Sequence, residues 1–284
     1  MPNIEYLPGI EAGQKIDLDK LSSSRFENKR RLQSERYLPA LQEQLVAMSG
    51  RLKNEYGDFF SSDGQIKMQG EDAFRDKQEI EKKENQWAKE KLKSRAAWRA
   101  ERDKNPAALA ETALTLLFDR ILRDDFIVVR AAAFDDYKNG VDQLIIDKRT
   151  GAVICGLDDV LGHQGDDGAE KKADILAKRM TGGGTKIKYG LRLKDGNLEV
   201  DTLKNIPLFY FSLSKAELLS LLDNLNDSEK LDPASLEIFN KLVVSLDSQF
   251  KNYSDSQSLA ASLQANLQKF RPSLDKILSY ARPN

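Results

Sequence analysis

Residues 126–160 constrain this chain more than any other stretch. Three apolar runs, "FIVVRAAAF", "VDQLIID" and "AVICGLDDV", are separated by short connections. They are rich in β-branched and aromatic residues, which fit a pleated, half-buried surface. Asn139-Gly140 in the first connection is a tight-turn signal, and "KRTG" in the second has hairpin length. A parallel pairing needs a crossover of a dozen or more residues, so the spacing predicts an antiparallel meander over 126–159 with hairpin turns.

The acids in this stretch do not stay in the turns. Asp142 opens the second run, and Asp158 and Asp159 close the third. The start of one strand and the end of the next lie at the same end of a hairpin, so these carboxylates are expected to meet. Side chains on one face recur every second residue, which puts Asp158 with Ile154 and Val160, and Asp159 with Cys155 and Leu157. Carboxylates brought together repel, and each stays ionised only beside a counter-charge. A divalent cation such as Mg²⁺ takes oxygen ligands and keeps several waters. A water bound to such an ion can attack a phosphodiester.

The flanks have a different texture. Residues 1–105 read as a charged helical arm, 106–213 as an α/β core, and 214–284 as a C-terminal helical segment. A helix is expected over 18–34 and another from Pro39, with Leu38, Leu41, Leu45, Met48 and Leu52 on one face. Between Glu71 and Lys104, 20 of 34 residues are charged, 11 basic and 9 acidic. Its apolar stripe is thin (Phe74, Ile80, Trp87, Leu92, Trp98), as in a solvated arm or a helical hairpin. Pro106 starts a helix, and another runs from about Asp167 to Met180 before the stop "TGGG". "KIKYGLRLK" and "LEVDTL" form a hairpin around Asp195-Gly196, and "PLFYFSL" is a further strand. Ser214 and Glu217 make a capping box. Asp232-Pro233 starts a helix with Leu236, Phe239, Leu242, Val243 and Leu246 on its apolar face, and a last helix covers about 256–270. The fold class is therefore α+β: a central mixed or antiparallel sheet flanked by helices, with long helical segments at both ends.

The net charge of −1 gives no global field toward nucleic acid or anionic lipid, so any such binding needs a local patch. The single cysteine, Cys155, lies in an apolar run, where packing is its expected role and a reducing compartment its expected setting. The N-terminus lacks a basic flank followed by an apolar stretch, and no run approaches the roughly 18 apolar residues of a membrane span. A cytoplasmic protein without membrane contact is the expectation.

The element order over 106–213, helix-strand-strand-strand-helix-strand, resembles that of the PD-(D/E)XK nuclease superfamily. "NGVDQLII" resembles the family's entry to its second strand, and "VICGLDDV" stands where the family places its [DE]-x-K strand. The resemblance covers somewhat over a third of the chain. It implies a restriction-endonuclease-like core and a Mg²⁺- or Mn²⁺-dependent nuclease. Asp142 and Asp158 would be metal ligands and catalytic residues, and Glu111 a further ligand. The lysine two residues after the acid is replaced by Val160 or, counting from Asp159, by Leu161. In similar family members a lysine from the next helix takes its role, which points to Lys171 or Lys172 and makes "GHQGDDGAEKK" one wall of the site.

Other residues read more plainly. His163, the only histidine, has no second imidazole or thiol group for a zinc cluster and is expected in an exposed loop. "TGGGTK" lacks phosphate-loop spacing and follows a helix. Asp135 and Asp136 suit a turn with Asn139-Gly140. In "KIKYGLRLK", Ile187, Tyr189, Leu191 and Leu193 face inward. Lys186, Lys188, Arg192 and Lys194 form an outer basic stripe, which charge pairing of Arg192 with Glu199 and of Lys188 with Asp201 would largely spend. Three readings follow: a nuclease acting on nucleic acid, a catalytically inactive nuclease-fold binding or scaffold protein that meets protein partners through its helical arms, or a helical structural protein whose small sheet has no special role.

Overall fold

A computed structural model describes residues 18–162, 167–225, 231–256 and 258–281. In chain order, α1 is Leu18–Tyr56, α2 Ala73–Glu90, α3 Arg95–Arg102 and α4 Pro106–Leu122. The central part runs β1 (Phe126–Arg130), α5 (Ala133–Asn139), β2 (Gln143–Asp147), β3 (Val153–Leu161), α6 (Asp167–Thr181), β4 (Thr185–Lys194), β5 (Asn197–Ile206) and β6 (Leu208–Leu213). It is followed by α7 (Lys215–Leu225), α8 (Pro233–Ser254) and α9 (Ala261–Ala281).

The fold is α+β. The main sheet has the order β1-β2-β3-β6, and β4-β5 form a separate two-stranded ribbon. β1 pairs antiparallel with β2, and β2 with β3, so the expected meander is present. β6 returns parallel to β3 after α6 and the ribbon, which makes the sheet mixed. Asp195 and Gly196 turn the ribbon with φ of 51° and 79°, the paired positive angles of a type I′ turn. Among the described residues no helix is long and apolar enough to cross a membrane.

α4 joins the layers. Asn105 caps it, accepting the Ala107 N–H at 3.1 Å, and Pro106 takes the first turn where its missing N–H costs nothing. Leu114, Leu117, Phe118 and Leu122 are fully or almost fully buried. The Phe118 ring lies 4.8 Å from Phe211 of β6 and 5.0 Å from Phe239 of α8. Truncating a phenylalanine so placed typically costs about 3–5 kcal/mol. The capping box at α7 forms as expected, with Ser214 N–H donating to Glu217 at 2.8 Å and Glu217 N–H to Ser214 Oγ at 3.2 Å. Asp232 caps α8 through the Ala234 and Ser235 N–H groups. Cys155 is buried in the sheet, and burial pushes its thiol pKa up, as a packing role requires.

Several expectations are corrected. β1 ends at Arg130, and Asn139-Gly140 is no hairpin turn: residues 133–139 form α5, and Gly140 closes it in the left-handed region at φ 57°. Asp135 and Asp136 sit in the first turn of that helix, where carboxylates are favoured. Asp135 is fully buried and accepts the Lys188 and Tyr189 N–H groups at 2.8 and 2.9 Å, pinning the ribbon to α5. Pro39 lies inside α1, because burying Tyr37, Leu41 and Leu45 outweighs one lost backbone hydrogen bond. The last helix is Ala261–Ala281 and runs through Pro272. Phe74, Leu92 and Leu236 are exposed, so they leave their expected apolar faces. Arg192 does oppose Glu199 in register, but it ion-pairs Asp201 at 2.9 Å, whereas Lys188 pairs Asp72 and Asp76 of the α2 region. His163 and the tail 1–17 lie outside the described residues.

Gly151 shows how tightly the β2–β3 turn meets the ribbon. Its φ is +68°, its carbonyl accepts the Leu193 N–H at 2.8 Å, and a Cβ added there would collide with the Leu193 carbonyl oxygen. Gly151→Ala is expected to cost about 3 kcal/mol. Gly50, inside α1, has nothing within 4 Å of where a Cβ would stand, so Gly50→Ala should gain about 0.5–1 kcal/mol. Urea denaturation of the two variants reads both effects, which have opposite signs.

Candidate functional site

The site forms where β2 begins and β3 ends. Asp142 precedes β2, and the ladder fixes its backbone: its N–H donates to Leu157 O at 2.8 Å, and its carbonyl accepts the Ala131 N–H at 2.8 Å. Its Oδ2 accepts the Asp159 N–H at 2.6 Å, tying the two strand ends together. Gln143 stands opposite Leu157 in register, and its amide donates to Asp159 Oδ2 and, at 3.5 Å, to the Glu111 carbonyl of α4. Asp158 instead meets Lys172 of α6, with Nζ 2.7 Å from Oδ2. Alternation along β3 thus gives one acid to α4 and its neighbour to α6. Glu111 has Arg130, the last residue of β1, at 3.5 Å.

Three oxygens here are buried without a hydrogen-bond donor among the described residues: Gln143 Oε1, Asp158 Oδ2 and Asp159 Oδ1. Asp158 Oδ2 nonetheless has Lys172 Nζ at 2.7 Å as an ion-pair partner, so Gln143 Oε1 and Asp159 Oδ1 are the two left without one. Gln143 is fully buried, and buried polar atoms are rarely left unpaired.

The electrostatics follow from this crowding. Burial pushes the Glu111 carboxyl up to about 7, opposed by Arg130 and reinforced by Asp136 and Asp158. Burial also holds Asp142 well above the usual carboxylate range, and Glu111, Asp159, Asp158 and Asp136 add to it. Asp159 is raised by burial and by Glu111, against the hydrogen bond from Gln143. Asp158 is raised by burial despite Lys172, and hydrogen bonding with Asp142 favours its ionised form. Asp142 and Asp158 therefore influence one another, and the four carboxyl groups outnumber the two cations paired with them, Arg130 and Lys172.

Of the residues expected at the site, Asp142 and Asp158 stand at the same sheet end, Lys172 pairs with Asp158, and Glu111 lies on the α4 side beside Gln143. Lys171 is exposed. The loop expected to form one wall contains 163–166, which lie outside the described residues. "TGGG" is the helix stop, α6 ending at Thr181. Gln143, Arg130 and Asp136 are additions. Gln143 could have been found as the polar residue of an otherwise apolar strand start, and Arg130 as its partner in the β1–β2 register.

Among the described residues, no three His, Cys, Asp or Glu side chains are grouped so as to hold a metal ion. Mg²⁺ does not require such a cage: it is commonly held by one or two carboxylates together with substrate phosphates. The donor chemistry is that of a hard cation, because the groups are carboxylate and amide oxygens, of which Gln143 Oε1 and Asp159 Oδ1 have no partner among the described residues. Beside the cluster a cavity of about 650 Å³ opens, lined by Glu111, Arg130 and Asp136 on one side and by residues of α2 and α3 on the other.

A carboxyl whose pKa is raised on folding stabilises the fold at low pH, and that contribution is lost as pH rises through the folded value. For Glu111 the window runs from about 4.5 to about 7. Without divalent cations, Glu111→Gln should show a shallower loss of stability between pH 5 and 8 than the natural chain, by on the order of 1–2 kcal/mol. Mg²⁺ should raise the natural chain's Tm more at pH 8 than at pH 5. Thermal unfolding across that pH range checks both.

Comparison with protein-family models, with curated proteins and with solved structures finds no match, so the site's own geometry carries the functional reading.

Proposed function

We propose that this chain is a Mg²⁺-dependent, nuclease-like hydrolase of nucleic acid phosphodiesters, with Mn²⁺ as the alternative ion. The observation that carries the reading is Lys172 Nζ at 2.7 Å from Asp158 Oδ2, at the sheet end where Asp142 also converges. A lysine supplied by α6 does what one two residues after the acid would do, since Val160 occupies that place. The strand arrangement also supports a restriction-endonuclease-like core of the PD-(D/E)XK kind: an antiparallel β1-β2-β3 with β6 parallel to β3. α5 and the β4-β5 ribbon are additions to that plan.

In this reading Asp142 and Asp158 hold the ion, with Glu111 beside them. The ion would supply Lewis acidity toward the phosphate and a water of lowered pKa. Lys172 stabilises charge that develops on the phosphate and favours the ionised form of Asp158 against burial. Gln143 fixes the position of Asp159 by its amide hydrogen bond.

One feature favours the alternative, a catalytically inactive nuclease-fold protein that binds through its helices: Lys172 already gives Asp158 a counter-charge without any metal. The two readings part on simple measurements. Calorimetry should detect Mg²⁺ binding that is lost in both Asp142→Ala and Asp158→Ala. Lys172→Met should lower Mg²⁺-dependent cleavage by on the order of 100-fold, the scale of losing one electrostatic stabiliser. Lys171→Met should change it little. Mg²⁺ binding unaltered in both alanine variants, or no cleavage of single- or double-stranded DNA or RNA by the intact protein, would overturn the nuclease reading.

A further inference from the structure

The cavity beside the carboxylates has two fixed walls. One is α4, the end of β1 and α5, with Glu111, Arg130 and Tyr137. The other is the α2–α3 hairpin, with Ile80, Glu84 and Arg102, and α1 with the segment after it closes one end through Leu38, Asp63 and Met68. The hairpin is anchored and does not hang free. Trp87 of α2 lies 5.6 Å from Trp98 of α3 and 5.5 Å from Tyr137 of α5, centroid to centroid. Glu84 is almost fully buried and holds Arg99 with a 2.8 Å hydrogen bond, and it accepts the Tyr137 hydroxyl at 3.0 Å. Asp76 of the same helix accepts the Tyr189 hydroxyl of the ribbon at 2.6 Å.

We propose that this groove admits nucleic acid as a single strand and that Arg130 clamps the phosphate next to the carboxylates; the inference rests on the nuclease reading and specifies its substrate. Three observations support it. First, a space of about 650 Å³ lies within the range of ligand pockets, roughly 300–1,000 Å³, and suits a few nucleotides but not a duplex. Second, the lining is mixed in the way a single strand requires. Leu38, Met68, Ile80 and two alanines of α4 offer apolar surface to base faces, Tyr137 offers a ring, and Arg130 lies alongside for the backbone, whereas Arg99 and Arg102 are already paired with Glu84 and Asp103. A duplex would present paired bases on the inside and two phosphate backbones on the outside, the wrong pattern for this surface.

Third, Arg130 is placed between the two regions. Its guanidinium stands 3.5 Å from Glu111 and 3.8 Å from Asp63, both longer than the roughly 2.7–2.9 Å of a charge-assisted hydrogen bond. Its planar fork matches a phosphate bidentately, which a lysine cannot do. Of the carboxylate cluster Glu111 alone lines the cavity, so a phosphate held by Arg130 lies on the Glu111 side of it. The charge balance adds a condition. Of the charged residues lining the cavity, six are acidic and four basic, so a polyanion is repelled until a divalent cation neutralises the carboxylate end. Strand binding and cation binding are therefore coupled, each strengthening the other.

The test is fluorescence anisotropy with a labelled short oligothymidylate and a duplex of equal length, in Ca²⁺ and in EDTA. Ca²⁺ coordinates oxygen with looser geometry than Mg²⁺, which lets binding be read apart from turnover. The single strand should bind in Ca²⁺ at least about 10-fold more tightly than the duplex, and EDTA should abolish binding. Arg130→Lys keeps the charge and should still weaken binding about 10-fold. Lys77→Glu, an exposed change at the cavity rim, tests the same groove without touching the core and should weaken binding by several-fold. Lys186→Ala, on the ribbon's outer stripe, should leave it unchanged. Equal or tighter duplex binding, or unchanged affinity in both Arg130→Lys and Lys77→Glu, overturns the inference. Cleavage of duplex in Mg²⁺ alongside either result leaves the nuclease reading intact, whereas absence of binding and of all cleavage removes both.

Discussion

Carboxyl groups from a helix and two strands meet at one end of the sheet, and the rest of the structure is organised around the repulsion between them. Among the described residues, Glu111, Asp142, Asp158 and Asp159 are met by two ion-pairing cations, Lys172 and Arg130. Burial makes each carboxylate costly, and mutual repulsion adds to the cost. The chain tolerates this because the three aspartates each have a partner. Asp142 is bound to the Asp159 N–H, Asp159 to the Gln143 amide, and Asp158 to Lys172. What these contacts do not provide is net positive charge, and that deficit is the property a divalent cation would remove.

The fold supplies the rigidity. The β1-β2-β3 ladder sets Asp142 against Asp159 to within a hydrogen bond, and α4 carries Glu111 to the same place while its far face is locked by Phe118 against Phe211 and Phe239. β6, parallel to β3, lets α6 cross back over the sheet so that Lys172 reaches Asp158. The ribbon is held to this framework at two points, the Asp135 carboxylate under the Lys188 and Tyr189 N–H groups and the Gly151–Leu193 contact. The helical hairpin then closes the open side through Tyr137, Glu84 and the two tryptophans.

The sheet was legible because alternation and short connections leave few ways to pair three apolar runs. The same signals misled at Asn139-Gly140. A glycine with positive φ serves a hairpin turn and a helix C-terminus equally, and only tertiary placement of Asp135 under the ribbon decides between them. Pro39 failed as a helix start for a related reason, since packing of Tyr37 and Leu41 overrode local preference. Glu111, Asp142 and Asp158 were legible from strand ends and helix order. The choice of Lys172 over Lys171 was not, because it depends on the rotation of α6 against the sheet. Arg130 and Gln143 escaped notice because their meaning lies in the register, which pairs them directly. Separation of the β4-β5 ribbon from the main sheet was equally hidden, as alternation looks the same in either place.

The central claim is that carboxyl groups outnumber cations at this sheet end and that a divalent cation is drawn there. Paramagnetic broadening of backbone amide resonances by substoichiometric Mn²⁺ measures that directly. The account predicts selective loss of signal at Asp142, Gln143, Asp158 and Asp159, with the β4-β5 turn at Asp195-Gly196 unaffected. Broadening spread evenly over the exposed acids, or centred on any other element, would contradict it.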